Sequence, residues 1–295
     1  MKPKQWSAFI ALGLIWSSSF LWIKIAVQEM SPITLVAYRV LFGLLFGVVV
    51  IMIQRVSLPR DIKVWIPVLL LGISNVAIPF FLISWGEQSI NSGVAAILDA
   101  TVPLFSLVIA HFLLEDDKMT TPKVVGLLIG FAGVIILMSK DIGGSSSSLL
   151  GQGAVILACV FYAGSGIYAR KNTENTPTIL RSAGPLISAT VVMWLGSFLF
   201  ESPVKTPHLQ ITWIALLWLG ILGSGVAFVL VYYLIHEIGP TRASMVTYTF
   251  PLGGVLLGFL FLHESLSWQI ILGGALIIAS LAVANWTQAE KISST

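Results

Sequence analysis

The sequence predicts an all-α polytopic membrane protein, with ten transmembrane helices laid out as two inverted five-helix repeats around a central cavity. Three observations carry this reading: apolar composition, ten helix-length apolar runs, and a repeat at fixed offset. Of the 295 residues, 57% are hydrophobic and 10% charged, and the mean hydropathy is +0.94. That leaves too little polar surface to cover a water-soluble globule of this length.

A helix needs roughly 20 mostly apolar residues to cross a bilayer. The chain divides into ten such runs: Trp6 to Val27, Ile33 to Ile53, Trp65 to Gly86, Ser92 to Leu114, Pro122 to Ser139, Gly151 to Ala169, Ile179 to Phe200, Trp213 to Ile235, Thr241 to Leu262 and Trp268 to Trp286. Turn-forming pairs such as Ser31-Pro32, Leu58-Pro59, Thr176-Pro177, Ser202-Pro203 and Gly239-Pro240 separate them. The one low-complexity stretch, GGSSSS at Gly143 to Ser148, has the composition of a flexible linker. It predicts a first repeat over 1–140, a linker over 141–150, a second repeat over 151–288 and a short tail over 289–295.

Trp65, Ile66, Leu69, Leu71, Gly72 and Ile73 recur as Trp213, Ile214, Leu217, Leu219, Gly220 and Ile221, an offset of 213 − 65 = 148. Ala95, Thr101, Pro103, Leu104 and Gly126 recur at the same offset as Ala243, Thr249, Pro251, Leu252 and Gly274. A duplicated helical half is a common build of secondary transporters, because two related bundles rock about a site held between them. Five spans per half, an odd number, make the second half enter the membrane from the opposite side.

Orientation follows from the basic residues, which collect at cytoplasmic helix ends. Twelve Lys and Arg residues fall at one set of ends, only Lys24, Lys140 and Lys205 at the other, and Arg39 lies inside a helix. This bias predicts a multi-pass protein of the cytoplasmic membrane with both termini cytoplasmic. The first span has a basic start but no A-x-A-like site after it, so it reads as uncleaved. The net charge of +3 sits at helix ends rather than in a stripe, which argues against nucleic acid as a partner. The single cysteine, Cys159, permits no intramolecular disulfide or multi-cysteine metal site, and no metal site is expected.

Polar residues inside spans are the site candidates, since a charge at the bilayer centre costs about 2.5–3.5 kcal/mol on insertion scales. Arg39 and Asp99 both lie roughly 10 Å below the outer surface at about 1.5 Å per residue. Two readings stay open. Arg39 holds an anionic group of a solute while Asp99 binds a cation or exchanges a proton, or the two form a structural ion pair. The repeat offset places Thr247 opposite Asp99, so the carboxylate belongs to one half only.

Trp16 with Ser19, and Tyr162 with Ser165, sit one turn apart near mid-depth of the first and sixth spans and are related by 162 − 16 = 146. A ring beside a hydroxyl suits an amphiphilic organic solute. Ser17, Ser18, Gly164 and Gly166 read instead as helix-packing residues. Pro103 and Pro251 occupy matching positions and each leaves a carbonyl without its usual donor, so each kink either borders a cavity or is purely structural. Tyr248, just before Pro251, joins the candidates, with Asn75 a weaker one.

The run GPTRASMVTYTFPLGGVLLGFLFLHE, Gly239 to Glu264, followed by Gly273-Gly274, resembles the second repeat of the EamA family of the drug/metabolite transporter superfamily. The first copy matches more loosely through NSGVAAILDATVPLFSLVIAHFLLE, Asn91 to Glu115, and GLIWSSSFLWIKIA and SPITLVAYRVLFG resemble the family's start. The resemblance implies ten helices, a cavity formed by helices 1 to 4 and 6 to 9, and peripheral helices 5 and 10. It also implies transport of amino acids, other metabolites or toxic compounds, often outward, without a bound cofactor.

Two rival classes fit less well. An intramembrane hydrolase is suggested by Ala163-Gly164-Ser165-Gly166, but all four histidines lie at or beyond the membrane edges, far from Ser165. A non-transporting scaffold has no use for an inverted repeat with buried charges in one half. The reading is therefore a secondary carrier of small organic solutes, an exporter more than an importer. Trp16, Ser19, Arg39, Asp99, Tyr162, Ser165 and Tyr248 would bind substrate, with Asp99 the coupling group and a proton its ion. Oligomeric state has no signal in the sequence.

Overall fold

The computed structural model describes residues 1–56, 58–115, 118–139, 146–174, 176–201, 204 and 206–284. The tail at 289–295, part of the expected linker, and the turn residues Asp116 and Asp117 lie outside the described residues.

The described residues form helices and turns with no strand. The spans are α1 Pro3–Ala26, α2 Pro32–Gln54, α3 Ile62–Gly86, α4 Ser92–Leu113, α5 Thr121–Ser139, α6 Ser146–Asn172, α7 Thr178–Phe200, α8 Gln210–Ile238, α9 Arg242–Leu262 and α10 Trp268–Ala284. Among the described residues nine are long and apolar enough to cross a membrane, and α10 is described over only 17 residues. Helix α6 begins at Ser146, so the last residues of the stretch read as linker form its first turn. Large apolar side chains such as Met52, Phe112, Leu199 and Phe200 project outward, as in a protein whose surroundings are lipid tails.

The helix pairings repeat under a two-fold exchange of the halves. Helix α1 packs on α9 as α6 packs on α4; α3 packs on α6 as α8 packs on α1; α2 packs on α8 as α7 packs on α3. The pairs α2–α7, α4–α9 and α5–α10 map onto themselves, with α5 and α10 packed chiefly on each other at the periphery.

Four helices break, in two matched pairs. Helix α3 widens to π geometry over Gly72–Ala77 and α8 over Trp218–Val226, and Gly72 and Gly220 are offset by 220 − 72 = 148. Helix α4 is interrupted between Ser92–Asp99 and Val102–Leu113, and the α9 region passes through a 3₁₀ stretch, Met245–Tyr248, before Thr249–Leu262. Pro103 and Pro251 sit just past these interruptions, where their missing N–H groups prevent a continuous ladder. Hydroxyls add to carbonyls beside the interruptions: Thr101 Oγ1 donates to Leu98 O at 2.6 Å and Ser188 Oγ of α7 to Leu69 O at 2.6 Å.

Alternating ends of the bundle define two faces: a terminal face, where α1 begins and α8 ends, and a far face, where α1 and α3 end and α4 and α8 begin. At the far face three carboxylates each reach from one half to a helix start of the other. Glu29, after α1, accepts from the His208 and Leu209 amides and the Thr212 hydroxyl at the start of α8. Glu201, after α7, accepts from Ser31 and Thr34 at the start of α2. Glu264, after α9, accepts from the Ser92 amide at 2.7 Å and the Gly93 amide at 3.2 Å at the start of α4. An anion at a helix start satisfies amides that lack intrahelical partners and complements the helix dipole.

Two expectations follow from this packing. A Cβ at Gly72 would lie 2.0 Å from Ser188 Oγ and 2.1 Å from Pro185 O, and one at Gly220 would lie 2.8 Å from Arg39 O, whereas one at Gly164 would meet nothing within 4 Å. Gly72→Ala and Gly220→Ala therefore each lower stability by about 1–3 kcal/mol, while Gly164→Ala stays near neutral, as read from denaturation of the detergent-solubilised protein.

The Thr212 hydroxyl, followed by the His208 and Leu209 amides, holds the Glu29 carboxyl below its ordinary value. A depressed value means that this latch contributes fully above the ordinary carboxylate value of about 4.5 and is lost as pH falls through the lower, folded-state value. Thermal denaturation across that acid range should show a pH-dependent component that Glu29→Gln removes.

Candidate functional site

Between the halves lies a cavity of about 310 Å³. Its wall is mostly aromatic, with Trp16, Phe20, Phe80, Tyr162, Phe228, Tyr232 and Phe250, and its polar members are Ser19, Arg39, Asn75, Asp99 and Thr247. The far end is shut: Ile23 and Ile83, near the ends of α1 and α3, are only 2% and 4% exposed. Behind them the Lys24 ammonium donates to the carbonyls of Glu87 at 2.6 Å and Ile90 at 2.8 Å. At the other end the lining residues Tyr232, Ile235 and Thr247 stay partly exposed. The cavity therefore opens toward the terminal face.

The lining obeys the repeat offset. Phe80 pairs with Phe228, Ile83 with Val231, Asp99 with Thr247 and Val102 with Phe250, each separated by 148, and Trp16 pairs with Tyr162 at 146. The aromatic floor is built from α1 and α9, where Phe250 meets the rings of Trp16 and Phe20 edge-on, with centroids at 6.1 and 6.0 Å.

The charges break this symmetry. Arg39 of α2 is 4% exposed, with its guanidinium 3.6 Å from the Phe80 ring centroid and its Nε donating to Ser224 Oγ at 3.1 Å. The ring face and the hydroxyl compensate part of the lost hydration of a buried cation. Asp99, 7% exposed, closes the first segment of α4, with the Cys159 thiol 3.9 Å from Oδ1. No salt bridge joins Arg39 to Asp99 among the described residues. Both charged groups face one cavity without neutralising each other by contact, which leaves each able to meet a ligand group.

The π stretch of α8 is held by side chains of the first half. Trp16 Nε1 donates to Gly223 O at 3.2 Å, and Trp218 Nε1 donates to Ser18 Oγ at 3.1 Å. On the mirror side Ser165 of α6 donates to Ser74 Oγ at 2.9 Å in the π stretch of α3.

Of the candidates read from sequence, Trp16, Ser19, Arg39, Asp99 and Tyr162 come together in the cavity wall, with Asn75 beside them. Ser165 and Tyr248 do not line it. Ser165 is 4% exposed and its hydroxyl is used on Ser74, while Thr247 takes the lining position beside Tyr248. Ser17 and Ser18 are packing residues as expected, but a Cβ at Gly164 or Gly166 would meet nothing within 4 Å, so those glycines serve no close approach. Residues missed in the sequence include Phe80, Phe228, Tyr232 and Phe250, while Thr247 was noted only as the counterpart of Asp99. The offset signal was available for Phe80 with Phe228 and for Val102 with Phe250; nothing in the sequence pointed to Tyr232.

Two inverted helical halves enclosing a half-open, charge-bearing cavity define a polytopic membrane transporter. The EamA-like transporter family model matches residues 6–139 and 149–286, and the chain belongs to that family. It is 28% identical over 288 residues to the "Uncharacterized transporter YoaV" of Bacillus subtilis (strain 168), covering 96% of this chain and 97% of that protein. It is 28% identical over 253 residues to the "Uncharacterized inner membrane transporter YedA" of Escherichia coli (strain K12), covering 85% and 80%. A solved crystal structure shares the fold with a TM-score of 0.71 at 21% identity, covering 97% of this chain and 98% of that one.

Trp16→Phe keeps the aromatic wall but leaves the Gly223 carbonyl without its donor. The cost should be about 1–3 kcal/mol, measured as a shift in denaturation midpoint of the purified protein.

Proposed function

We propose that this protein is a secondary carrier of small amphiphilic organic solutes of amino-acid or small-metabolite size, working by alternating access between repeats 1–140 and 151–288. The observation that carries the reading is one cavity presenting a guanidinium and a carboxylate that make no salt bridge, set among aromatic rings. About 310 Å³ sits at the small end of ligand-pocket volumes, which run roughly 300–1,000 Å³. Arg39 receives an anionic group of the solute, the rings receive its apolar body, and Ser19 and Thr247 orient it.

Asp99 is the coupling group in this reading, and the proton is its ion. Its carboxyl ends a helix segment inside the bilayer, with the Cys159 thiol 3.9 Å from Oδ1. Binding a proton removes the cost of keeping that charge there. The cavity opens on the face to which the basic residues assign the cytoplasm, so the state described loads from inside. Outward transport follows, with both termini in the cytoplasm.

Comparing metabolites of cells that overproduce and cells that lack the protein identifies solute and direction together; accumulation on overproduction makes it an importer. With that solute, proteoliposomes should show saturable counterflow. Asp99→Asn should retain counterflow and lose dependence of uphill flux on the proton gradient; unchanged coupling sinks the assignment. Arg39→Lys, which loses the planar stack on Phe80 and the Ser224 bond, should raise the half-saturation concentration at least roughly tenfold, about 1.4 kcal/mol.

A further inference from the structure

Among the described residues four carboxylates stand at the closed far face, and one of them grips nothing. Glu29, Glu201 and Glu264 each hold a helix start of the opposite half. Glu87, in the turn after α3, is 0% exposed, and neither of its carboxyl oxygens has a hydrogen-bond partner among the described residues. Its neighbour Lys24 directs its ammonium to the backbone carbonyls of Glu87 and Ile90 instead. One turn earlier, Ser84 Oγ is likewise buried without a partner.

The repeat explains why two orphaned polar side chains lie there. Ser84 and Glu87 are the counterparts of Tyr232 and Ile235, at 232 − 84 = 148 and 235 − 87 = 148, and those two residues line the open mouth at the terminal face. In an inverted-repeat carrier the second state arises when each half takes up the arrangement the other half has now. Ser84 and Glu87 then line the mouth of the far side. A carboxyl that is enclosed in one state and wetted in the other binds a proton in the first and releases it to water in the second, with no other bond made or broken.

We propose that Glu87 is a second proton-carrying group of this transporter, neutral while the far face is closed and deprotonated at the outer mouth when that face opens. The proposal rests on the alternating-access reading above and adds to Asp99 a second carboxyl that exchanges its proton with outer water. The charges acting on Glu87 are Lys24 from α1, Glu264 from the turn after α9, Arg39 from α2 and Asp99 from α4, two cations against two acids. They do not offset its burial, which pushes the carboxyl well above the ordinary carboxylate range.

Infrared spectroscopy of the full-length protein in lipid at neutral pH tests this without a solute. A protonated-carboxyl carbonyl band is expected that shifts when glutamate is ¹³C-labelled, disappears in Glu87→Gln and persists in Asp99→Asn. The labelling identifies a glutamic acid in the unaltered protein, so the test survives a variant that fails to fold. Absence of a label-sensitive band overturns the proposal, as does a band unchanged in folded Glu87→Gln. A band that responds to sodium at constant pH overturns it in favour of a metal cation. Exposure is tested with Ser84→Cys in a Cys159→Ser background and a membrane-impermeant thiol reagent added outside whole cells. Slow labelling is expected, and complete protection overturns the outer-mouth role. Both readouts are independent of flux: a present band with no counterflow indicts the transport reading, and counterflow with no band indicts Glu87.

Discussion

Every backbone N–H and C=O in hydrocarbon must find its partner within the protein, and the architecture depends on that constraint. Unbroken helices meet it alone. Four spans here do not, and their breaks fall at the cavity or where helices of opposite halves touch. The π stretch of α8 takes Trp16 on Gly223 O, and a Ser188 hydroxyl on Leu69 O supports α3 just before its own π stretch. The same irregularities that make the cavity are thus tied across the two halves, so the halves meet through polar contacts rather than apolar packing alone.

Symmetry and its failure have separate consequences. The paired lining residues, Phe80 with Phe228 and Asp99 with Thr247 among them, place matching positions of both halves in one wall, as the pseudo-two-fold relation of the repeats requires. Arg39, Asp99 and Glu87 have no charged counterparts, since Ile187, Thr247 and Ile235 stand at the matching positions. A duplicated scaffold folds without such charges, and each carries a burial cost. The far-face latches show what holds that side closed: carboxylates of one half seated on helix starts of the other.

Much of this was legible in the sequence. Over the described residues, hydropathy runs located the spans to within about five residues, the expected end at Trp286 lying outside them, because twenty consecutive apolar residues have few alternatives in a chain this hydrophobic. The matched prolines located the interruptions of α4 and α9. Pro79 stands just past the π stretch of α3, but α8 carries no proline near its own, and the two stretches share only the close approach of other helices at Gly72 and Gly220. Depth counting put Trp16 and Tyr162 at one level, and both line the cavity, but it assigns height and not azimuth. That is why Ser165, at the proper depth, faces Ser74 instead of the cavity, and why Thr247 rather than Tyr248 lines it.

By itself the sequence determined the membrane class, the ten spans, the duplication and the residues that break its symmetry, because these follow from composition, periodicity and offset along one dimension. Tertiary structure alone decided that Arg39 rests on Phe80 and Ser224 without pairing to Asp99, that the cavity closes toward Lys24, and that Glu87 is enclosed without a partner. Each of those depends on the rotation of one helix against another, and a helix can turn about its axis without changing a single feature of its sequence.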